Sequence, residues 1–248
     1  TGSSATYFAK SDIDAVYALM KPWMDEYMPG SVSEEQFDHF LVGFLERTLV
    51  HGGISHPFLE KYRNNFKWYD LNWNYDRSHF LCHRFSRYER MPQPLIVYRT
   101  DRNLPADNAY TIRDSWYYRY FVTCFNSILG NVNVSNDFYT FLAEKLTEAG
   151  IFDKVMGAEG ANYCITPQKV HLSSKVRMIR CDTCQSMLIT SADDTLSFGT
   201  HCIVNKCSGS YSSEKDLPGG YYQRIYRRNK TPRIYSHEHT GLLGRAQR

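Results

Sequence analysis

Two short cysteine spacings constrain this chain more than any other feature. Cys181 and Cys184 form a C-x2-C pair, Cys202 and Cys207 form a C-x4-C pair, and 17 residues separate the pairs. A tight turn between two cysteines aims both sulfurs inward, so each pair supplies half of a tetrahedron around an ion held at about 2.3 Å from sulfur. The competing readings are two disulfides or four unrelated core thiols. Disulfide frameworks belong to small secreted chains, whereas this one has 248 residues and seven cysteines, an odd number that suits a reducing compartment. The pattern reads as a structural Zn²⁺ site. Four thiolates close the shell, so His201 is assigned to solvent or to supporting a ligand, and no open position remains for a reacting water.

Hydrophobic residues make up 42% of the chain and aromatics 15%, enough for packed cores over most of its length. No apolar run approaches the ~20 residues that span a bilayer, and the first residues lack the apolar centre of a signal peptide, so the expectation is a soluble, cytoplasmic protein without membrane contact. A start at Thr1 and an end at GLLGRAQR suggest a piece of a larger protein. Net charge is +3, but it is concentrated: from Gly219 onward seven Lys and Arg stand against Glu238 alone, a local +6, and the rest of the chain carries −3. Such a basic block suits a phosphate backbone or an acidic partner.

The fold class expected is α+β: helical and winged-helix-like modules followed by a small four-cysteine zinc ribbon. In the first module, residues 1–110, Ser11 should cap a helix carrying Ile13, Val16, Tyr17, Leu19 and Met20, ended or kinked by Pro22. Ser33-Glu-Glu-Gln36 is a capping-box pattern that opens a helix with Phe37, Phe40, Leu41, Phe44, Leu45 and Leu49 on its apolar face, running to Gly52-Gly53. Residues 62–100 are aromatic and irregular. They include His79, Cys82 and His83, which lack a second pair at ligand spacing, and a strand candidate at 95–98.

The second module, residues 111–174, should hold a helix over 116–129 and a helix capped by Ser135 that ends at Gly150. A hairpin turned at Gly157 and Gly160 follows, in the order of a winged helix. Glu144 and Glu148 beside Lys145 make the second helix a poor reader of a DNA groove, so packing or protein contact is its assigned role. In the ribbon, 175–218, short strands are expected at Met187-Leu-Ile and Cys202-Ile-Val, joined through a turn at Asp193-Asp194. Pro218-Gly219-Gly220 then makes a hinge to a basic segment, 219–248.

In that segment His237-Glu238-His239 invites a metal reading, but histidines at i and i+2 share a face only on a strand, with the carboxylate turned away. The run from Tyr221 to Ile234, together with Glu238, His239, Thr240, Gly241, Leu242 and Leu243, resembles the entry to the second RecA-like lobe of large DEAD/DEAH-box superfamily 2 helicases. In those proteins, some of them similar to bacterial DNA-processing or phage-defence helicases, a cysteine-rich insert precedes an E-H-T-G-x-L element. The resemblance covers about the last 70 residues. It implies a parent motor that uses ATP and Mg²⁺, with this chain as an accessory region between its lobes. The phosphate-cradling G-x-x-x-x-G-K-[ST] loop is absent from the sequence, so this chain alone should not hydrolyse ATP.

The partner expected is nucleic acid, DNA rather than RNA, with Arg224, Arg227, Arg228, Lys230 and Arg233 on phosphates and Tyr222 and Tyr226 stacked on bases. The alternative is a zinc-ribbon adaptor or transcription regulator that meets another protein. An enzyme of the Cys/His type built on Cys82 or Cys164 is the third reading; His79 and His83 stand beside Cys82, but no pattern assigns either as its base.

Overall fold

The computed structural model describes residues 4–28, 30, 32–57, 95–96, 116–125, 132–157 and 160–215. Within them the chain is mixed α+β. Four helices, α1 (Lys10–Tyr27), α2 (Glu34–Val50), α3 (Trp116–Cys124) and α4 (Val132–Glu148), accompany three small antiparallel sheets. Strand β1 (Ala5–Tyr7) pairs with β5 (His171–Ser173). Strands β2 (Leu95–Ile96), β3 (Phe152–Gly157) and β4 (Gly160–Ile165) form a second sheet in the order β2-β4-β3. The third sheet holds β6 (Val176–Cys181), β7 (Met187–Ser191) and β8 (Tyr211–Lys215) in the order β7-β6-β8.

Helix α2 is the central element, and its start is fixed locally. The Ser33 hydroxyl accepts from the Gln36 amide at 3.1 Å, and the Gln36 side chain accepts from the Ser33 amide at 3.1 Å, completing a capping box. Phe37, Phe40, Leu41, Phe44 and Leu45 are then fully buried. Phe40 packs against Tyr120 and Phe125 near α3 and against Phe138 and Tyr139 of α4, with centroids 4.9–6.1 Å apart. Truncating a phenylalanine in such a setting costs about 3–5 kcal/mol.

The start of α1 differs from the sequence expectation. It begins at Lys10 with Ala9 at the cap position and no side-chain cap, so Ser11 lies inside the first turn. Pro22 neither ends nor breaks it; the helix continues to Tyr27. The missing hydrogen bond is outweighed by tertiary packing just beyond, where Met24 is buried and Trp23 stacks on Phe141 at 5.9 Å and meets Phe138 edge-on at 5.8 Å. A second correction concerns Ser135, which does not cap α4. That helix starts at Val132, and Ser135 is fully buried with its hydroxyl unpartnered among the described residues.

The two strands expected on either side of Gly157 and Gly160 are present and pair antiparallel, with Phe152 opposite Ile165 and Gly157 opposite Gly160. In the third sheet, Cys202-Ile-Val is not a strand. The third strand is β8, which pairs with β6 through Arg180 opposite Ser213, and the segment between β7 and β8 is looped. The inward side of this sheet and the loop between β7 and β8 join the helices in one core: Ile179, Cys181, Leu188 and Tyr211 of the strands and Cys202 and Ile203 of the loop are buried in the cluster that also contains Phe40, Phe44, Trp116 and Phe138.

Candidate metal centre

Strand β6 ends at Cys181, and the chain turns through Asp182 and Thr183 to Cys184. The turn is held by the Cys181 amide donating to the Ser186 carbonyl at 2.9 Å and the Asp182 amide donating to the Ser210 carbonyl at 3.1 Å. The second knuckle runs from Cys202 to Cys207. Here the Cys202 amide donates to the Gly209 carbonyl at 2.8 Å, and the Cys207 amide donates to the Val204 carbonyl at 3.1 Å. Both knuckles use a non-glycine residue in the left-handed region beside a cysteine, Gln185 at φ 63° and Lys206 at φ 66°. That conformation costs an L-residue about 1–2 kcal/mol, so it persists only where the surrounding bonds enforce it.

The four sulfurs lie within 4.8 Å of one another. Cys181 and Cys207 are 3.7 Å apart and Cys184 and Cys202 are 3.5 Å apart. A sulfur–sulfur bond is about 2.0 Å long, so neither pair is a disulfide. Four sulfurs at about 2.3 Å from one central ion sit about 3.8 Å apart at the corners of a tetrahedron, close to the spacing observed. The donor set is therefore a match for a single thiophilic metal ion.

The electrostatics around the sulfurs agree. Burial pushes the Cys181, Cys202 and Cys207 thiols up, while hydrogen bonds from backbone amides (Thr183 and Cys184 to Cys181, Val204 to Cys202, Gly209 to Cys207) pull them back toward the thiolate. Cys184 is exposed, and the Ser186 hydroxyl beside it, 3.1 Å away, holds it down at about 6. Ser186 also lies 3.3 Å from the Cys202 sulfur, and the Tyr211 hydroxyl lies 3.7 Å from the same atom. Amides and hydroxyls directed at thiolates spread their charge and orient them, the usual role of groups behind metal ligands.

Asp182 fixes the geometry from the side. Its carboxylate accepts from the Thr183 hydroxyl at 2.8 Å and from the Ser210 amide at 3.2 Å, and these bonds hold its pKa below the ordinary carboxylate value. His201 is half-buried, its Nδ1 3.5 Å from the Ser210 hydroxyl, and stands outside the four-sulfur group. Burial lowers its pKa, with His39 adding to the effect.

The knuckles are fastened to the helices at Ile203. Its carbonyl accepts from the Trp116 indole N–H at 2.9 Å and from the Arg47 guanidinium at 3.2 Å. Arg47 lies 4.9 Å from the Trp116 ring centroid, and Trp116 in turn stacks on Tyr120 at 4.5 Å. Sequence reasoning finds the cysteines but not this clamp, because Arg47, Trp116 and Ile203 are separated by up to 156 residues and share no local pattern.

A second acidic group, Asp14, Glu34 and Asp38, already holds a cation. Lys10 bonds Asp14, Glu34 at 3.2 Å and Asp38 at 2.8 Å, tying α1 to α2 as an ion-pair hub. Cys124 and Cys164 are buried and separate from the metal-type cluster. The expected nucleic-acid contacts Tyr222, Arg224, Tyr226, Arg227, Arg228, Lys230 and Arg233 lie outside the described residues. So do Glu238, His239, Thr240 and Gly241, and His79, Cys82 and His83. Among the described residues no helix is long and apolar enough to cross a membrane.

The chain matches no protein-family model, no curated protein and no solved structure.

Proposed function

We propose that Cys181, Cys184, Cys202 and Cys207 hold one structural Zn²⁺, and that the chain is a scaffolding and nucleic-acid-binding accessory region of a superfamily 2 helicase. The observation that carries the first part is the closed four-sulfur cluster. All four corners of the tetrahedron are protein ligands, which leaves no site for substrate, and the knuckles are bonded into the helical core at Ile203. An ion in this position stabilises architecture. The helicase assignment is supported by the resemblance of Glu238–Leu243 and the preceding basic run to the entry of a RecA-like lobe. ATP and Mg²⁺ belong to the parent motor in this reading, and DNA is favoured over RNA as partner.

The test is a fluorescence-anisotropy titration of the chain with single- and double-stranded DNA at two salt concentrations, with zinc quantified in the same sample. One zinc per chain and affinity that falls steeply with salt are expected. Binding that is absent or indifferent to salt overturns the nucleic-acid role. The adaptor reading then takes its place, and one feature favours it. The edge strand β7 exposes Met187 (55%) and Ile189 (39%) on one face, the kind of apolar step a protein partner covers.

A further inference from the structure

The four sulfurs of the cluster are unequal in exposure. Cys184 is exposed, Cys207 is half-buried, and Cys181 and Cys202 are buried. A small solute therefore meets the cluster first at Cys184. The Cys202 sulfur lies 3.5 Å from it, and the Ser186 hydroxyl lies 3.1 Å from the first sulfur and 3.3 Å from the second. Coordination to a cation keeps both sulfurs deprotonated, and the thiolate is the form of cysteine that attacks an oxidant. An open thiolate with a second sulfur in contact oxidises reversibly, because the second sulfur captures the first oxidation product as a disulfide before it goes further.

We propose that Cys184 is a modification site for hydroperoxides, and that its oxidation closes a Cys184–Cys202 disulfide and so opens the metal centre. The inference rests on the zinc reading above and is independent of the nucleic-acid one. In the first step the Cys184 thiolate attacks one oxygen of hydrogen peroxide. A sulfur–oxygen bond forms, the oxygen–oxygen bond breaks, and the departing hydroxide takes a proton to become water, leaving a sulfenic acid on Cys184. In the second step the Cys202 thiolate attacks that sulfur. The sulfur–sulfur bond forms, the sulfur–oxygen bond breaks, and the hydroxide that leaves is protonated to a second water. Over both steps the thiolates give up two electrons to one peroxide, and two protons are consumed. Cys181 and Cys207 are then the remaining thiolates of the cluster, two donors where the closed site supplies four, so the cation is released. The effect reaches beyond the knuckle. Cys202 is followed by Ile203, whose carbonyl holds the Trp116 indole and the Arg47 guanidinium, so a shift of the Cys202 backbone is passed to the helical core.

The experiment takes the full zinc-loaded chain, adds hydrogen peroxide in steps and follows released zinc with a chromogenic chelator. The linkage is read by mass spectrometry after alkylation and digestion with trypsin and a protease that cuts before aspartate. That digestion places the four cysteines on four peptides, because Asp182, Asp193 and Lys206 lie between them. Expected are loss of the one bound zinc per chain, a linked Cys184–Cys202 peptide pair that accumulates in step with that loss, and recovery of zinc binding after reduction with dithiothreitol. Zinc that stays bound while free glutathione in the same solution is oxidised overturns the proposal and leaves the zinc reading standing. Release of zinc with a different linkage, or with sulfinic and sulfonic acids on Cys184 in place of a disulfide, does the same. A chain that takes up no zinc when supplied with it overturns the zinc reading and the modification site together.

Discussion

The indole N–H of Trp116 donates to the carbonyl oxygen of Ile203 at 2.9 Å, joining α3 to the middle of the Cys202–Cys207 knuckle. The same carbonyl accepts from Arg47 of α2, so three chain segments distant in sequence meet at one oxygen. Trp116→Phe removes one of the two donors and leaves the oxygen satisfied by the other. The expected loss is therefore small, about 1 kcal/mol. Trp116→Ala also empties the space against Tyr120 and should cost about 3–5 kcal/mol. Urea denaturation of the two variants separates these effects; equal losses would mean that the hydrogen bond, and not the ring, carries the clamp.

Gly43 marks where α2 touches both α3 and the cysteine-bearing segment. A methyl group there would meet the Tyr120 hydroxyl and, at 2.8 Å, the Thr200 methyl. Gly→Ala inside a helix ordinarily gains about 1 kcal/mol from propensity. Here the clash wins, because Tyr120 is fixed by Trp116 and Phe40 and cannot swing away. Gly43→Ala should destabilise by about 1–3 kcal/mol in denaturant unfolding. A gain in stability would show that the helices separate at that point at little cost.

Loss of the proposed zinc ion should be felt beyond the knuckles. Cys184→Ser removes one of four thiolates, and the expected result is a zinc content near zero together with a lowered melting temperature. A chelator should lower the melting temperature of the wild-type protein and leave that of the variant in place. The effect should extend to the helical core, since Cys181 and Cys202 are packed in the same buried cluster as Phe40 and Phe138. Retention of zinc by Cys184→Ser would count against four-sulfur coordination.

How far the fold was readable from sequence depended on how local its determinants are. The capping box at Ser33 and Gln36 and the Gly157–Gly160 hairpin are set by neighbours a few residues apart, and both form as read. The two cysteine pairs declare themselves by spacing, and the fold brings all four sulfurs together. Ser11 and Ser135 do not cap their helices, and Pro22 does not end α1. Each is a strong local signal; beyond Pro22 the helix continues with Met24 buried and Trp23 packed on α4, and Ser135 is itself buried within α4. The segment Cys202-Ile-Val has the apolar run of a strand, but Cys202 is committed to the cluster and the Ile203 carbonyl to Trp116, so the ladder passes to Tyr211–Lys215. The pairing of β1 with β5 spans the chain from Ala5 to Ser173 and leaves no local trace in the sequence.

Glu46 gives the protein a pH dependence that the exposed charges do not. It is 4% exposed on α2, its Oε1 has no hydrogen-bond partner among the described residues, and burial, reinforced by the Asp194 carboxylate, pushes its pKa up from 4.5 to about 8. Asp194, also buried, is held by hydroxyls of Thr190 at 2.6 Å and of Ser197, and by the Leu196 amide at 2.9 Å. The folded pKa lies above the unfolded one, so the folded state binds the proton more tightly. Below pH 4.5 the carboxyl is neutral in both states and imposes no penalty. As pH rises from there toward 8, the unfolded chain gives up its proton while the fold keeps it, and stability falls by on the order of 3 kcal/mol by about pH 7. Glu46→Gln cannot ionise, so its advantage over wild type should be absent near the acid end of that window and grow by about 1.4 kcal/mol per pH unit within it. Chemical denaturation of both proteins across the window measures that growth. Parallel stability curves would show that Glu46 is solvated in the folded protein and that its burial beside Asp194 does not govern its ionisation.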